Sequence, residues 1–278
     1  MNGWRFIHAV ILLLPSAAGC DKNSGPHCLV GRLDHRVVHE GSAVIDSRQH
    51  PGVFWTVCDS GNPADLFAFR RDGTLLGRFP VDATNTDWES LSADDEGHLF
   101  IGDTGNNDRD REMIVVYKVD EPDPTVRRGR RPRVPVLESW RLTYPDKPFD
   151  AESLVINGDT GYVIAKHHGK GAGLYSFSLA PQPYGPQVLH YVGDLPIHVP
   201  VTDAALSHDK DRLAIQTGDG PYVFSGLGGN MEKACRIRPR HVVCEGLEGL
   251  NVEGVCFVPE GLLGTTEQGH ILLFELKP

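Results

Sequence analysis

One unit recurs five times along the chain and constrains the fold more than any other feature. It is an acidic residue followed by two short apolar strands with a polar turn between them, as in "DWESLSADDEGHLFIGDTGNN" at 87–107. The opening acids are Glu40, Glu89, Glu152, Asp203 and Glu253, at steps of 49, 63, 51 and 50 residues. Self-similarity at roughly 40–50 residues is the sequence signature of a repeat fold.

Each repeat contains four predicted strands. The second strand ends fourteen residues after the opening acid in four repeats and nineteen residues after it in the first, where the turn at 48–51 is longer. The turns carry Asp, Asn and Gly, and third and fourth strands such as "IVVYKVD", "ESWRLTY" and "KACRIRP" follow. Four strands per repeat are typical of one propeller blade. The sequence therefore predicts an all-β fold, a β-propeller of five four-stranded blades, with six blades as the alternative because of the 63-residue step.

The last repeat ends at Pro278 after three strands, so its fourth strand has to come from elsewhere. "HCLVGRLDHRVVHE" near the N-terminus is similar to "HYVGDLPIHVPVTD", which contains a fourth strand. His27 precedes Glu40 by thirteen residues, and His190 precedes Asp203 by the same interval. We therefore expect the N-terminal strand to complete the last blade, which closes the ring and leaves no open sheet edge.

The composition agrees with one propeller domain at residues 28–278, since propellers of this size are often single units. A net charge of −10 argues against nucleic acid as a partner, because phosphate binding needs a basic surface. The stretch "VRRGRRPRVP" in the second repeat is the exception. It is either a solvated loop or a site for an anionic partner.

Residues 1–19 have the pattern of an export signal, with a weakly basic start, an apolar core and small residues before Cys20. "AAGC" resembles the bacterial lipobox, in which the cysteine is lipidated; an ordinary signal with an incidental cysteine is the alternative. The turn-prone residues 20–27 suit a short tether. We therefore expect an exported protein that a lipid on Cys20 anchors to a bacterial membrane, on its periplasmic or cell-surface side.

Five cysteines remain besides Cys20, so at least one is unpaired or bonded outside the chain. Cys235 and Cys244 flank "RIRPRHVV" and could form a disulfide across it. The motifs CxxC, HExxH, GxSxG and the Walker loop are absent. Their absence argues against the common zinc-ribbon, zincin, hydrolase-elbow and nucleotide-loop sites.

The opening acids are the candidate site residues. The first strand of each propeller blade lines the central channel, so the five acids are expected to form a ring at one channel mouth. The ends of the second strands, which include Thr217, and the loops after them are expected just outside this ring. From these segments we take the following residues as the binding face: Asp59, Asp103, Asn106, Asn107, Lys166, His167 and Glu267.

Five carboxylates around one channel repel one another, by about 2 kcal/mol per neighbouring pair at ~7 Å and an effective dielectric of ~20. A bound cation would offset this repulsion, and oxygen-only ligands favour Ca²⁺, with Mg²⁺ as the alternative. Water, raised carboxyl pKa values or Lys166 as a counter-ion would offset it without any metal. A repeated acid can also simply cap backbone N–H groups where each inner strand begins. Metal binding and capping both stay open.

The stretch at 87–107 and the strand and Glu-Pro after it resemble the signature of a bacterial family of exported, mostly uncharacterised propeller proteins, close to DWE…GDxGDN. "HPGVFWTVCDSGNPADLFAF" and "FDAESLVI" are similar to the neighbouring repeats of that family. More distantly, the repeats are similar to gluconolactonase-like and phytase-esterase-like propellers. In the former a channel Glu and two amide-bearing residues hold a divalent metal and an Asp is the base. That resemblance implies Glu89 or Glu253 as the metal ligand, with Asn106, Asn107 and Asn251 as the nearby amides.

Two classes of function follow. The first is a lipid-anchored binding or scaffolding propeller whose ligand is a protein, a glycan or a small molecule over the acidic face. The second is a metal-dependent hydrolase of an ester, lactone or phosphoester, in which a channel metal polarises the substrate or activates water. Asp103 and His167 are its candidate bases. The sequence favours the first class.

Overall fold

The computed structural model describes residues 27–125, 133–166, 171–181, 185–244, 247 and 249–276. These residues form five β-sheets, called blades I to V here in the order of their inner strands. The strand near the N-terminus is β1 (His27–Arg32). Blade I contains β2 (Ile45–Asp46), β3 (Val53–Thr56), β4 (Asp65–Arg70) and β5 (Leu75–Pro80). Blade II contains β6 (Trp88–Ala93), β7 (His98–Asp103), β8 (Met113–Asp120) and β9 (Val136–Thr143).

The remaining blades follow the same order from the inner to the outer strand. Blade III contains β10 (Ala151–Asn157), β11 (Thr160–Ala165), β12 (Ala172–Ser178) and β14 (His190–Leu195), while β13 (Gln187–Val188) pairs in parallel with β9 of blade II. Blade IV contains β15 (Val201–Leu206), β16 (Arg212–Thr217), β17 (Tyr222–Ser225) and β18 (Arg240–His241). Blade V contains β19 (Val252–Val258), β20 (Gly261–Thr266) and β21 (His270–Glu275), to which β1 is added.

The prediction of a five-bladed all-β propeller is confirmed, and the six-blade alternative is wrong. In the described residues, the long step between the second and third repeats contains no further blade, because β8 and β9 pair directly within blade II. Most of the basic stretch "VRRGRRPRVP" lies outside the described residues. The inner strands β2, β6, β10, β15 and β19 contact one another in a closed ring. Because neighbouring blades cover both faces of these strands, every residue of β6 is buried, and "WESLSA" lacks the alternation of a half-exposed strand.

The predicted closure of the ring is confirmed. β1 pairs antiparallel with β21, with Cys28 opposite Leu273 and Leu29 opposite Leu272. The backbone of the first blade approaches this strand so closely that a Cβ at Gly31 would lie 2.2 Å from the carbonyl oxygen of Arg71. The N-terminal strand therefore covers the edge that β21 would otherwise leave open.

The core is divided among the interfaces between blades. Trp55 of blade I and Trp88 of blade II are both fully buried in one such cluster. The indole nitrogen of Trp55 donates to Glu121 Oε1 at 2.8 Å, which satisfies its polar group inside the cluster. Each blade depends on its neighbour to bury its apolar face, as expected for a repeat architecture.

The connection between β17 and β18 differs from the expectation. Residues Met231–Cys235 form a 3-10 helix, so the predicted strand "KACRIRP" is wrong, and β18 takes the outer position instead. Asn230 caps this helix by accepting a hydrogen bond from the backbone N–H of Glu232. Cys235 and Cys244, the possible disulfide partners, are both free thiols. No helix in the described part of the chain is both long and apolar enough for a membrane span.

Candidate functional site

Three of the opening acids occupy equivalent positions because each is a β-bulge. In blade II the ladder pairs Trp88 with Asp103 and then Ser90 with Gly102, so Glu89 has no partner across the strands. The same shift leaves Glu152 of blade III and Glu253 of blade V unpaired. A bulge re-aims the side chain of its extra residue. Glu89 interacts electrostatically with Glu152, and Lys166 with both Glu89 and Glu253, so the three lie around one channel mouth.

Asp203 lies one ladder step away from these three. In blade IV the unpaired residue is Thr202, and Asp203 pairs with Gln216 at the level of Ser90 and Ser153. Its side chain is fully buried, and Oδ2 accepts a hydrogen bond from the N–H of Val255 in the next blade at 2.8 Å. Burial raises the pKa of Asp203 well above its usual range, and amide donors, including those of Ala204 and Val44, act in the opposite direction. Asp203 thus caps backbone amides inside the channel.

Glu40 lies two residues before the bulge position of its blade. Its carbonyl oxygen accepts from the N–H of Asp59, as the carbonyl of Asp150 accepts from Lys166 and that of Asn251 from Glu267. Glu40 is therefore the counterpart of the residue two positions before each bulge acid. It has a φ of 51°, and about half of its side chain is exposed. Ser42 occupies the bulge position of blade I.

Asp103 and Asn106 are used to hold the loop after β7. Asp103 is buried and accepts from Arg111 Nη2 at 2.8 Å, from the N–H of Asp87 at 3.1 Å and from that of Thr86 at 3.3 Å. Asn106 donates its N–H to Asp150 Oδ1 at 2.8 Å and its amide group to the Tyr144 hydroxyl at 3.0 Å. These polar atoms are therefore occupied by the protein itself. Asn107 is exposed, and His167 lies outside the described residues.

Lys166 is the cation of the channel mouth. Its Nζ lies 2.8 Å from Glu152 Oε1 and 3.7 Å from Asp150 Oδ2. Burial alone would lower the pKa of Lys166, but Glu152, Asp150 and Glu89 raise it above its usual value. The ammonium is thus charged at every physiological pH and serves as an internal counter-ion.

Acids outnumber cations at this end of the channel. We define the acidic face as Asp59, Asp87, Glu89, Asp150, Glu152, Glu253 and Glu267, which interact with one another electrostatically. Burial, with a smaller contribution from the charge of Asp150, raises the pKa of Glu152 to about 8. Burial, with a smaller contribution from the charge of Glu267, raises the pKa of Glu253 to about 7. Burial, and after it the charge of Glu40, raises the pKa of Asp59 to about 6. Burial, and after it the charge of Glu152, raises the pKa of Glu89 well above its usual value. Lys166 and Arg111 leave part of this charge unbalanced.

The cluster with metal-like spacing in the described residues lies elsewhere. Asp94, Glu96 and His98 bring ligand atoms within 4.8 Å of one another at the turn between β6 and β7, the end of that hairpin far from Glu89. His98 Nδ1 lies 2.8 Å from Asp94 Oδ2, and Lys118 Nζ lies 3.2 Å from the same oxygen. The sequence "DDEGH" predicts a turn, and the acids at 94 and 96 and the histidine at 98 are the signal in it that points to a metal cluster. A metal held by the predicted ring stays a prediction.

Comparisons with known proteins find distant structural similarity alone. No protein-family model and no curated protein matches the chain. A putative gluconolactonase structure is 13% identical with a TM-score of 0.47, covering 86% of this chain and 74% of that one. A catalytically inactive virginiamycin B lyase from Staphylococcus aureus with quinupristin is 9% identical with a TM-score of 0.45, covering 85% and 66%. Hydrazine synthase from Kuenenia stuttgartiensis is 12% identical with a TM-score of 0.42, covering 91% of this chain but 59% of that one.

Proposed function

We propose that this protein is an exported, lipid-anchored β-propeller that binds a ligand over its acidic face. The ligand is a protein, a glycan or a small molecule that presents positive charge or hydrogen-bond donors. The observation that carries this proposal is the group of half-buried and buried carboxyls around one lysine. Burial and mutual repulsion raise their pKa values, so the face is electrostatically unfavourable as it stands. A ligand that supplies donors relieves that repulsion, which gives the face a preference for such groups.

The geometry favours a binding face over a metal centre. In the described residues, no three side chains of the acidic face bring ligand atoms as close together as Asp94, Glu96 and His98 do. Calcium takes six to eight oxygen ligands at about 2.3–2.6 Å, so a site for it needs oxygens that converge. Lys166 already occupies the space between Glu152 and Asp150. Calcium or magnesium at the ring is therefore not part of the preferred proposal.

A hydrolase is the second candidate, and one observation favours it. Glu152 and Glu253 have pKa values of about 8 and about 7, in the range of general acids and bases that work near neutral pH. Asp103, the candidate base of the described residues, is less suited because three donors already occupy its carboxylate. If the protein is a hydrolase, Glu253 or Glu152 is therefore the better candidate for the general base.

A thermal-shift screen with oligosaccharides, peptides and small cations tests the proposal. Ligands that raise the melting temperature are titrated again against Glu253→Gln, which lies in the acidic face, and against Glu138→Gln, an exposed outer-strand residue of β9. We expect the first variant to weaken binding at least tenfold and the second to leave it unchanged. An affinity that is the same for Glu253→Gln and for the parent would contradict the proposal. Turnover of an ester, lactone or phosphoester that Glu253→Gln abolishes would favour the hydrolase.

A further inference from the structure

Blade III shows how this chain holds an ammonium group. Asp150 and Glu152 stand two residues apart on either side of Ala151, and Lys166 Nζ lies 3.7 Å from the first carboxylate and 2.8 Å from the second. Asp150 is also tied to the N–H of Asn106 at 2.8 Å, which fixes its position. The pair and the lysine form a charge-assisted site in which two acids share one three-donor cation.

Blade II repeats the acidic half of this arrangement. Asp87 and Glu89 have the same spacing, and Glu89 is the bulge residue as Glu152 is. Lys166 donates its N–H to the carbonyl of Asp150 at 2.9 Å, and Gly105 donates its N–H to that of Asp87 at 3.1 Å. By this hydrogen bond Gly105 is the counterpart of Lys166, whereas in the strand ladder Thr104 follows Asp103 as Lys166 follows Ala165. Neither Thr104 nor Gly105 carries a cation. The internal repeat thus contains one acid pair with its own lysine and one with a glycine in its place.

Gly105 cannot be replaced easily by a residue with a side chain. A Cβ there would lie 2.3 Å from Asp87 Oδ2 and 2.9 Å from Glu89 Cγ, so the two acidic side chains lie directly against the glycine backbone. Arg111 is the nearby cation, but its guanidinium donates to Asp103 Oδ1 at 2.8 Å and to the carbonyls of Gly105 and Asp103. Arg111 and Lys166 act on the Asp87–Glu89 pair by charge. Among the described residues, neither of them forms an ion pair with Asp87 or Glu89.

One carboxyl of this pair lacks a partner. Glu89 is 7% exposed and receives no hydrogen bond from a described residue, whereas Asp87 is hydrogen-bonded to the Ser60 hydroxyl. Buried carboxyls are ordinarily paired, so Glu89 indicates a donor group of a ligand at this position.

We propose that Asp87 and Glu89 bind the primary ammonium group of a ligand, as Asp150 and Glu152 hold Lys166. The inference rests on the proposed function and names the chemistry of the ligand: an alkylammonium, as in a lysine side chain, a peptide N-terminus or a polyamine. An ammonium has three donors, which suit the oxygens of two carboxylates. Lys166 provides the length and chemistry of the model ligand, since its side chain ends in a four-carbon alkylammonium.

Titration with n-butylammonium chloride at constant ionic strength, followed by calorimetry, tests this site. We expect saturable binding of one equivalent to the full mature chain. Glu89→Gln should weaken it at least tenfold, and Glu138→Gln should not change it. Tetramethylammonium, which has charge but no N–H donors, and 1-butanol, which has no charge, should bind at least tenfold more weakly. Equal binding of tetramethylammonium or of Glu89→Gln would overturn the proposal.

Lys166→Met gives a second and independent readout. It frees Asp150 and Glu152, so the stoichiometry of n-butylammonium should rise from one to two. If this variant is unstable, n-butylammonium should restore part of its melting temperature. No saturable binding to the parent at concentrations up to about 10 mM would refute the ammonium site. A neutral oligosaccharide that binds at the acidic face in the same experiments would leave the proposed function intact, so the two failures are distinguishable.

Discussion

Asp203 differs from the other opening acids because its carboxylate is bound by the backbone of neighbouring strands. The side chain is fully buried, and its Oδ2 accepts from Val255 of the next blade. Removing a buried acceptor leaves its amide donors without partners, at a cost of about 1–3 kcal/mol for each group. The residue thus contributes to the closure of the inner ring through Oδ2, while Oδ1 is buried without a hydrogen-bond partner among the described residues.

We expect Asp203→Ala to lower the free energy of unfolding by about 2–4 kcal/mol, because it leaves the amide of Val255 and its neighbours unpaired. Asp203→Asn keeps one acceptor oxygen and removes a buried charge, so it should cost about 1 kcal/mol or less. Urea denaturation of both variants at pH 7 measures the difference. Equal stabilities of the Ala and Asn variants would contradict the capping role.

The pH dependence of stability provides a second test at the residue scale. The pKa of Glu253 is raised from its ordinary 4.5 to about 7 by burial and by Glu267. A carboxyl with a raised pKa binds its proton more tightly in the folded state, so its stabilising contribution is full below about pH 4.5 and is lost as the pH rises through 7. The parent should lose stability between pH 5 and pH 8. Glu253→Gln should be about 1–2 kcal/mol less sensitive to pH over this window.

Urea denaturation at pH 5, 6.5 and 8 measures this difference, with Glu275→Gln, an exposed residue at the end of β21, as the matched control. The control should keep the slope of the parent. Identical slopes for the parent and Glu253→Gln would show that Glu253 is ionised without penalty in the folded state.

The sequence predicts the identity of the acids better than their level in the channel. Counting fourteen residues places Glu89, Glu152, Asp203 and Glu253 in equivalent positions. The strand pairing moves Asp203 by one step because Thr202 takes the bulge, and side chains on a strand change faces with every residue. A bulge is a local pairing choice that leaves no mark in the hydrophobic pattern. Hydrogen bonds that occupy Asp103 and Asn106 are equally invisible, since Arg111 and Asp150 come from a loop and from another blade.

At the scale of elements, the four-strand repeat and the closing strand could be predicted because each strand is apolar, short and bounded by turn residues. The outer edge of blade IV could not. "KACRIRP" has strand-like composition, but Asn230 accepts from the N–H of Glu232 and begins a 3-10 helix. The short β13 was also unforeseen, since its parallel pairing with β9 depends on how blades II and III approach.

Deleting residues 21–34 should remove β1 and expose β21 as an open strand edge in blade V. An unpaired edge promotes aggregation, so we expect insoluble protein or a melting temperature lower by at least about 10 °C. A variant without residues 1–26 retains β1 and serves as the control. Wild-type melting and a monomeric elution volume for the longer deletion would contradict the closing role of β1.

At the scale of the whole molecule, the lipid anchor is a proposal from the sequence alone. Acyl chains on Cys20 would supply the membrane affinity. Cys20→Ser should therefore move the protein from the membrane fraction to the soluble fraction, or leave it with an uncleaved signal. Mass spectrometry of the mature N-terminus checks the lipid. A parent that is soluble without detergent and carries an unmodified Cys20 would refute the anchor.

We propose that the acidic face, which Lys166 neutralises only in part, binds a ligand and is not a metal centre. Thermal melts of the parent, Glu89→Gln and Glu253→Gln, each with calcium and with a chelator, test it most directly, together with elemental analysis of the purified protein. We expect calcium and chelation to leave the melting temperature of the parent unchanged. Both Gln variants should be as stable as the parent or more stable, because each removes a repelling charge. A melting temperature that rises with calcium in the parent, and does not respond to calcium in either variant, would instead place a metal at the channel mouth.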